Sequence, residues 1–304
     1  MSRDVVAGLI VIFNPCYDKL EALIASLENE ISEIVLVNNG ERNLLYEQKK
    51  ISLEAKGVTF VEMNGNVGVA TALNVGVQRL GAAGYEYCWL FDQDSVPKMG
   101  SANTLLRNFS SQKNDDSLVA AAVPVIVDSI GQQNLPMLVE GQGRKVREVL
   151  ITKRREVAAA ITSGMMVKTK IWLETGGAKE RYFIDFVDTE WCFRVRSAGY
   201  KIMCDPESTL FHILGDASPQ KFKHFKRVLR QRPPMRTYHF IRNGVFLASE
   251  PYAPKNWRNY VIKKILKIAL VGIVFGPRRL AQCSAIITAT MHILRARLGA
   301  DEKI

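Results

Sequence analysis

A chain of 304 residues, 47% hydrophobic, can bury one large core, with room for one domain plus an appendage. Its five cysteines (Cys16, Cys88, Cys192, Cys204, Cys283) include no C-x-x-C pair and no even framework, which excludes a disulfide scaffold and reads as buried thiols in a reducing compartment. No uncharged apolar run reaches the roughly 18 residues of a spanning helix, and the net charge of +11 is uneven: residues 201–304 carry 19 Lys/Arg against 6 Asp/Glu, residues 1–200 carry 22 against 24. That division predicts a near-neutral body over residues 1–220 and a basic appendage over 221–304 that faces something anionic.

Val5–Phe13 is a β-rich apolar run ended by Asn14-Pro15, and reads as a buried strand rather than a signal peptide because no small-residue cleavage site follows it. Asp18 is placed to cap a helix whose Leu20, Leu23, Ile24 and Leu27 keep helical spacing. A second strand, Ile34–Val37, breaks at Asn38-Asn39-Gly40. A helix over Leu44–Ala55, a third strand over Val58–Met63, and the turn-rich Asn64-Gly-Asn-Val-Gly68 follow. Leu73, Val77 and Leu80 share one face of the next helix, which Gly81 and Gly84 stop. A strand then leads from Tyr87 to Asp94. This alternation predicts a doubly wound, mostly parallel α/β sheet with helices on both faces.

The middle of the chain is less regular. Leu118–Val127 and Met165–Val167 read as strands, and residues 136–155, charged and spotted with glycine, as a mobile excursion. Thr169 is placed to cap a short helix ending near Gly176-Gly177, Phe186–Ser197 has a helical pattern, and Lys201–Cys204 and Thr209–Ile213 read as two short strands around Asp205-Pro206. From Lys221 to Arg279 there are 15 Lys/Arg and one acid, Glu250, with Phe222, Phe225, Tyr238, Phe240, Trp257 and Tyr260 interleaved. The apolar Ile262–Phe275 is broken by Lys263, Lys264 and Lys267, a pattern that suits an amphipathic helix on an anionic membrane face. A helix packed on the body with a solvated basic face fits it too, and a basic aromatic stripe also suits nucleic acid.

Four segments would meet at the carboxyl edge of such a sheet, where open α/β folds place ligands. They are Phe13-Asn14-Pro15, Asn38-Asn39-Gly40, the stretch Asn66-x-Gly68 to Asn74-x-Gly76, and Asp92-Gln93-Asp94. Short amides suit a base or ribose, the helix start after Gly68 would offer free N–H groups to an anion, and alternate carboxylates can share one hard cation. Each segment alone also reads as a turn or cap. Together they describe a pocket for a nucleotide diphosphate with its metal. Downstream, Asp185, Asp188 and Glu190 cluster in Phe183–Arg194, and His212 follows a strand. Asp188 stands at a helix start, where capping is its simpler role, and Glu190 lies four residues before Arg194, a favourable helical ion pair.

The ordered series Asn38-Asn39-Gly40, Asn66–Gly76, Asp92-Gln93-Asp94, Ser163-Gly164, Gly176-Gly177, Phe183–Arg194, Gly199-Tyr200 and His212-x-x-Gly215 resembles the inverting family 2 glycosyltransferases of GT-A fold, and among them the bacterial rhamnosyltransferases. The resemblance covers residues 5–216, with a weaker echo over Arg236–Asn243. It implies a nucleotide sugar held by the first half, at Phe13, Asn14, Asn38, Asn39, Asn66, Gly68, Asn74, Asp92 and Gln93, and an acceptor held by the second, at Ser163, Gly164, Asp185, Glu190 and Trp191. It further implies Mg²⁺ or Mn²⁺ on Asp92, Asp94 and His212, and Asp188 as base. Asn38 departs from the acid that many members carry there. The resemblance points to dTDP-β-L-rhamnose as donor, a polyprenyl-diphosphate-linked saccharide as acceptor, and O-antigen or polysaccharide synthesis on the cytoplasmic face of the inner membrane. A homo-oligomer is left open, and no nucleic acid is expected. The rival readings are a galactofuranosyl or other hexosyl transferase using a UDP-sugar, a haloacid-dehalogenase-like phosphatase with Asp92 as nucleophile, and a non-catalytic basic binding protein.

Overall fold

The computed structural model describes residues 5–109, 118–128, 133–212, 232–275 and 278–297. The first half alternates as expected: β1 (Val6–Ile12), α1 (Tyr17–Leu27), β2 (Glu33–Asn38), α2 (Leu44–Glu54), β3 (Val58–Glu62), α3 (Val69–Ala82) and β4 (Tyr87–Asp92). β1 pairs with β2 and β4, and β2 with β3, all in parallel. The chain thus steps outward from β1 and returns to its other side at β4, which opens a crevice at their carboxyl ends. Alternate residues of β1 feed opposite cores. Ala7 and Leu9 pack with Leu73, Val77 and Leu80 of α3, and Val6, Ile10 and Ile12 with Leu20, Leu23, Ile24 and Leu27 of α1.

The second half adds β5 (Ser95–Pro97), α4 (Ser101–Leu106), β6 (Val119–Asp128), β7 (Gln133–Asn134), β8 (Met137–Gly141), β9 (Lys145–Val149), β10 (Arg155–Glu156), β11 (Met165–Lys168), α5 (Thr169–Glu174), α6 (Val187–Ser197), β12 (Lys201–His212), α7 (Pro234–Ser249), α8 (Trp257–Phe275) and α9 (Arg279–Arg297). The large sheet runs β10-β12-β6-β11-β4-β1-β2-β3, with β5 on β12 and β7 on β6. It is mixed, because β11 is antiparallel to both β4 and β6. β12 is one strand rather than two, kept continuous by an irregularity between Asp205 and Thr209 that absorbs Pro206.

Other local expectations are corrected. Residues 137–149 form an antiparallel hairpin, β8–β9, whose Met137, Val139 and Val146 are buried in the main core. Cys16, not Asp18, holds the N-cap position of α1, and Asp18 lies in the first turn. Lys168 precedes α5, so Thr169 is already helical and its hydroxyl meets the Cys88 thiol at 3.3 Å. α3 runs through Gly81, and Gly84, at φ +89°, turns the chain after it. Gly215 and the aromatic residues Phe222 and Phe225 lie outside the described residues.

Gly76 sets the distance of α3 from the sheet, since a Cβ there would overlap the fully buried Leu9 side chain. Gly76→Val is therefore expected to lower stability by about 1–3 kcal/mol. A urea midpoint unchanged from the parent would show that the helix can lift without loss.

Candidate active site

Parallel pairing of β1 with β4 brings Val11 opposite Asp92, so the residues that leave the two strands meet. The Gln93 side chain grips the Phe13 main chain at both ends. The Phe13 N–H donates to Oε1 at 2.7 Å, and Nε2 donates to the Phe13 carbonyl at 3.2 Å. Asn14 takes a left-handed φ of 46°, which asparagine tolerates, and its Oδ1 accepts from the Glu41 N–H at 3.4 Å. Beneath the turn, Ser163 Oγ accepts from the Asp92 N–H at 3.3 Å and lies 2.6 Å from Ser95 Oγ. Ser163 is thus spent on holding the Asp92–Ser95 bend. Gly164, at φ +78°, lets the chain pass Pro124 at a distance no Cβ could share.

Antiparallel pairing of β5 with β12 sets His212 across from Ser95 and carries its Nδ1 to 3.8 Å from Asp94 Oδ1. That nitrogen is buried with no hydrogen-bond partner among the described residues. Burial pushes the Asp92 carboxyl above its ordinary range, His212 pulls it back, Asp94 raises it and Arg236 lowers it. Among the described residues no three His, Cys, Asp or Glu side chains converge closely enough to hold a metal alone. Two carboxylates and an unpartnered imidazole nonetheless fit the hard-donor chemistry of Mg²⁺ or Mn²⁺, and such ions commonly take the rest of their shell from water and substrate phosphates.

The asparagines after β2 and β3 form a self-contained lattice. Asn38 donates to Glu62 Oε2 at 3.0 Å and accepts from the Gly40 N–H at 3.0 Å. Burial alone would raise the Glu62 pKa, but bonds from Tyr46, Asn38 and Lys50 together hold it below the usual range. An acid therefore does stand beside Asn38, supplied by β3. Asn39 donates to Asn66 Oδ1 at 3.1 Å and accepts from the Val67 N–H at 2.8 Å, Asn66 Oδ1 also accepts from the Gly68 N–H at 3.1 Å, and the Val69 N–H donates to the Phe183 carbonyl at 2.7 Å. The N–H groups of Gly68 and Val69 at the start of α3 are therefore taken by protein acceptors. Gly68, at φ +88°, makes room for the Phe183 ring, since a Cβ would come within 2.6 Å of it. Asn74 spends its amide on the far side, accepting from the Ala178 N–H at 2.8 Å and donating to the Ala178 carbonyl at 2.8 Å. It fastens α3 to the Gly177 turn.

Facing Asp92 is the segment that leads into α6. Phe183, Asp185 and Phe186 all have φ near +60°, a left-handed run of residues that disfavour it. The Asn243 side chain of α7, fully buried, aims its Nδ2 at the carbonyls of Tyr182 (2.6 Å), Ile184 (2.8 Å) and Asp185 (3.1 Å). Its neighbour Arg242 donates to the Arg181 carbonyl at 2.6 Å. His239 stacks on Phe183 with centroids 5.1 Å apart, and burial, reinforced by Arg242, lowers its pKa to about 4, so it is a neutral ring at neutral pH. Asp185 is gripped by Arg232 at 2.9 and 3.0 Å and by Arg236 at 2.8 Å. The sequence reading missed Asn243, Arg232 and the role of His239. Only the echo over Arg236–Asn243 pointed their way.

Asp188, the second residue of α6, is partly exposed and does not cap the helix from outside; its Oδ1 accepts from the N–H and hydroxyl of Thr189 at 2.6 and 3.1 Å. Burial pushes its carboxyl up to about 6, the Thr189 bonds oppose the shift, and the charges of Asp92 and Asp185 add to it. The remaining acceptor candidates are internal. Glu190 is 0% exposed, bonded to Arg194 Nε at 2.7 Å and to the Tyr252 hydroxyl at 2.7 Å, and Trp191, 1% exposed, packs in a tilted arrangement against Trp172 with centroids 4.9 Å apart. Both belong to the frame, because neither presents a surface that an acceptor can reach.

Residues 9–172 match the family described as "Glycosyl transferase family 2". The chain is 27% identical over 252 residues, covering 82% of its own length and 81% of the relative's, to "dTDP-rhamnosyl transferase RfbF" of Shigella flexneri. Among solved structures it resembles GalNAc-T7 with UDP, GalNAc and Mn²⁺ (TM-score 0.59, 14% identity, 90% of this chain and 58% of that one). It also resembles the mannosyltransferase PcManGT from Pyrobaculum calidifontis with GDP-Man and Mn²⁺ (TM-score 0.55, 16% identity, 97% and 79%). At those identities the structures establish a shared fold.

If Asn243 holds the left-handed segment, Asn243→Ala should cost about 1–3 kcal/mol and raise hydrogen exchange over residues 183–190. Asn243→Asp should cost more, since a carboxylate would then face three carbonyls. Equal melting temperatures for the two variants would show that the amide's donors are not what matters.

Proposed function

This chain belongs to glycosyl transferase family 2, and on that premise we propose that it is an inverting rhamnosyltransferase. In this reading it moves L-rhamnose from dTDP-β-L-rhamnose to a saccharide on a polyprenyl diphosphate, for a cell-surface polysaccharide such as O-antigen. The observation that carries the reaction type is the cleft's division of labour. Asp92 and Asp94 stand with His212, whose Nδ1 lies 3.8 Å from Asp94 without a hydrogen-bond partner among the described residues, and burial pushes the Asp188 carboxyl up, with the charge of Asp92 adding to the shift. Family membership replaces the phosphatase reading of Asp92 and the non-catalytic reading. The choice of rhamnose is supported by the Shigella relative.

Bound at Asp92, Asp94 and His212, a Mg²⁺ or Mn²⁺ ion would supply neutralising charge for the departing diphosphate. Gln93 keeps the Phe13 turn at the mouth of the donor site. Asp188 accepts the proton of the acceptor hydroxyl as that oxygen forms a bond to the anomeric carbon; the bond from that carbon to the diphosphate breaks on the opposite face, and the diphosphate leaves with its electron pair. The anomeric configuration inverts and no covalent enzyme intermediate arises. No helix among the described residues is long and apolar enough to cross a membrane. In the proposed setting residues 1–220 carry the donor-site and base residues, α7 braces the segment before Asp188, and α8 and α9 hold the enzyme to the cytoplasmic face of the inner membrane.

Two measurements test this. dTDP with Mg²⁺ or Mn²⁺ should raise the melting temperature more than UDP, GDP or ADP, with about 2.7 kcal/mol of stabilisation at a hundred times Kd. Selective stabilisation by UDP would keep the chemistry and replace the sugar, and no response to any nucleotide would overturn the reading. Separately, Asp188→Asn should keep nucleotide binding but lose about 10²- to 10⁴-fold in transfer. The parent rate should rise with pH through about 6, as the Asp188 carboxyl ionises. Undiminished transfer by the variant would remove Asp188 from the mechanism.

A further inference from the structure

The inner faces of α8 and α9 are used up. Trp257 and Val261 of α8 are buried in the main core, and Ala289 and Ile293 of α9 pack with Ile241 of α7. Their outer faces carry aliphatic stripes, that of α9 interrupted by the exposed Ser284. On α8, Ile262, Leu266, Leu270, Ile273 and Val274 are all exposed, Leu266 by 64% and Leu270 by 62%, at spacings of four, four, three and one that keep them on one side. On α9, Leu280, Ile287, Met291 and Leu294 do the same at spacings of seven, four and three, Leu280 being 88% exposed. Lys263 and Lys267 border the α8 stripe, are exposed, and pair with no described residue. Residues 251–300 contain nine Lys/Arg and no acid.

We infer that these two stripes form a membrane-docking surface, with the aliphatic side chains entering the acyl boundary and Lys263 and Lys267 reaching anionic headgroups. Three observations select this occupant. The stripes are aliphatic, whereas the aromatic residues of this region, which could have stacked on bases, face inward: Trp257 is 2% exposed, Tyr260 stacks on it at 5.2 Å, and the Tyr238 hydroxyl bonds His292 at 2.7 Å. A nucleic-acid platform needs exposed rings. A second copy seated here through a two-fold axis would bring the same lysine-bordered stripe against itself, with like charges opposed. An interfacial helix has this composition: an apolar face, a cationic border, too few uncharged residues to span. The inference deepens the proposed membrane setting, and its readout involves neither nucleotide nor sugar transfer.

The full-length protein is sedimented with vesicles of phosphatidylcholine, with and without phosphatidylglycerol, at low and raised salt. Binding is expected only with phosphatidylglycerol and should weaken with salt. Lys263→Glu and Lys267→Glu should each weaken it about fivefold or more, and the double substitution Leu266→Asp with Leu270→Asp should weaken it at least about tenfold. All four positions are exposed, so melting temperature and nucleotide-induced stabilisation should stay unchanged, which separates this outcome from failure of the transferase reading. The inference is overturned if the parent stays in the supernatant, if the substitutions leave vesicle binding intact, if RNA competes the protein off the vesicles, or if Leu266→Asp with Leu270→Asp merely converts a dimer to a monomer.

Discussion

One buried amide facing three carbonyls decides where the candidate base stands. Phe183, Asp185 and Phe186 are left-handed, a conformation that costs bulky residues about 1 kcal/mol or more each, and α6 has no side-chain cap to hold its own entry. The restraint comes from outside. Asn243 collects the carbonyls, Arg242 takes that of Arg181, and Arg232 and Arg236 pin Asp185. Asp188 follows two residues after Phe186, so its position inherits that geometry. The Phe183 carbonyl in turn accepts from the Val69 N–H, so the same segment is also tied to the start of α3. A helix far downstream in sequence is therefore a working part of the cleft.

Three carboxylates of the cleft, Asp92, Asp185 and Asp188, have different neighbours. Asp185 meets two guanidinium groups. Asp92 and Asp188 have no such partner at bonding distance, and burial pushes both upward. A folded site whose carboxyls bind protons more tightly than in the unfolded chain loses stability as pH rises from the ordinary carboxylate range through the raised pKa, here about 6 for Asp188. This is the opposite of a structural ion pair, and it is the behaviour of a site arranged around charge that arrives with its ligands.

The parallel core was legible because β1, β2 and β4 are apolar on both faces and each is broken by a polar turn, a pattern that burial between two helix layers forces. The edge residues followed from it, since a carboxylate pair cannot sit inside such a strand. What could not be read was the use of each amide. Asn38, Asn39, Asn66 and Asn74 have ligand-ready side chains, yet they are spent on partners 24 to 104 residues away, and only the packed chain shows those groups taken by Glu62, Val67, Asn39 and Ala178. The hairpin over residues 137–149 was misjudged for a related reason. Its charged positions face outward, and three buried side chains suffice to hold it. Asn243 escaped notice because a lone asparagine within a helix reads as a neutral surface residue unless the strained backbone opposite it is known.

Composition alone could not separate the two roles of the C-terminal third, because both use apolar residues. The structure sorts them by type. The rings of Trp257, Tyr260 and Phe240 turn inward, and the side chains left on the outer faces of α8 and α9 are mainly aliphatic. Phe186, the last left-handed residue before α6, lies 4.7 Å from Phe240 and 5.9 Å from Trp257, and Trp257 lies 4.9 Å from Phe193. Those rings tie the entry of α6 to α7 and to the first turn of α8, the same helix whose opposite side bears Leu266 and Leu270. Packed aromatic contacts of this kind do not deform continuously. The distance between the cleft and the exposed aliphatic stripe is therefore set by a rigid core rather than by a linker. For an acceptor tethered to a lipid headgroup, that fixed height is what would present a sugar hydroxyl to Asp188 without a search through solution.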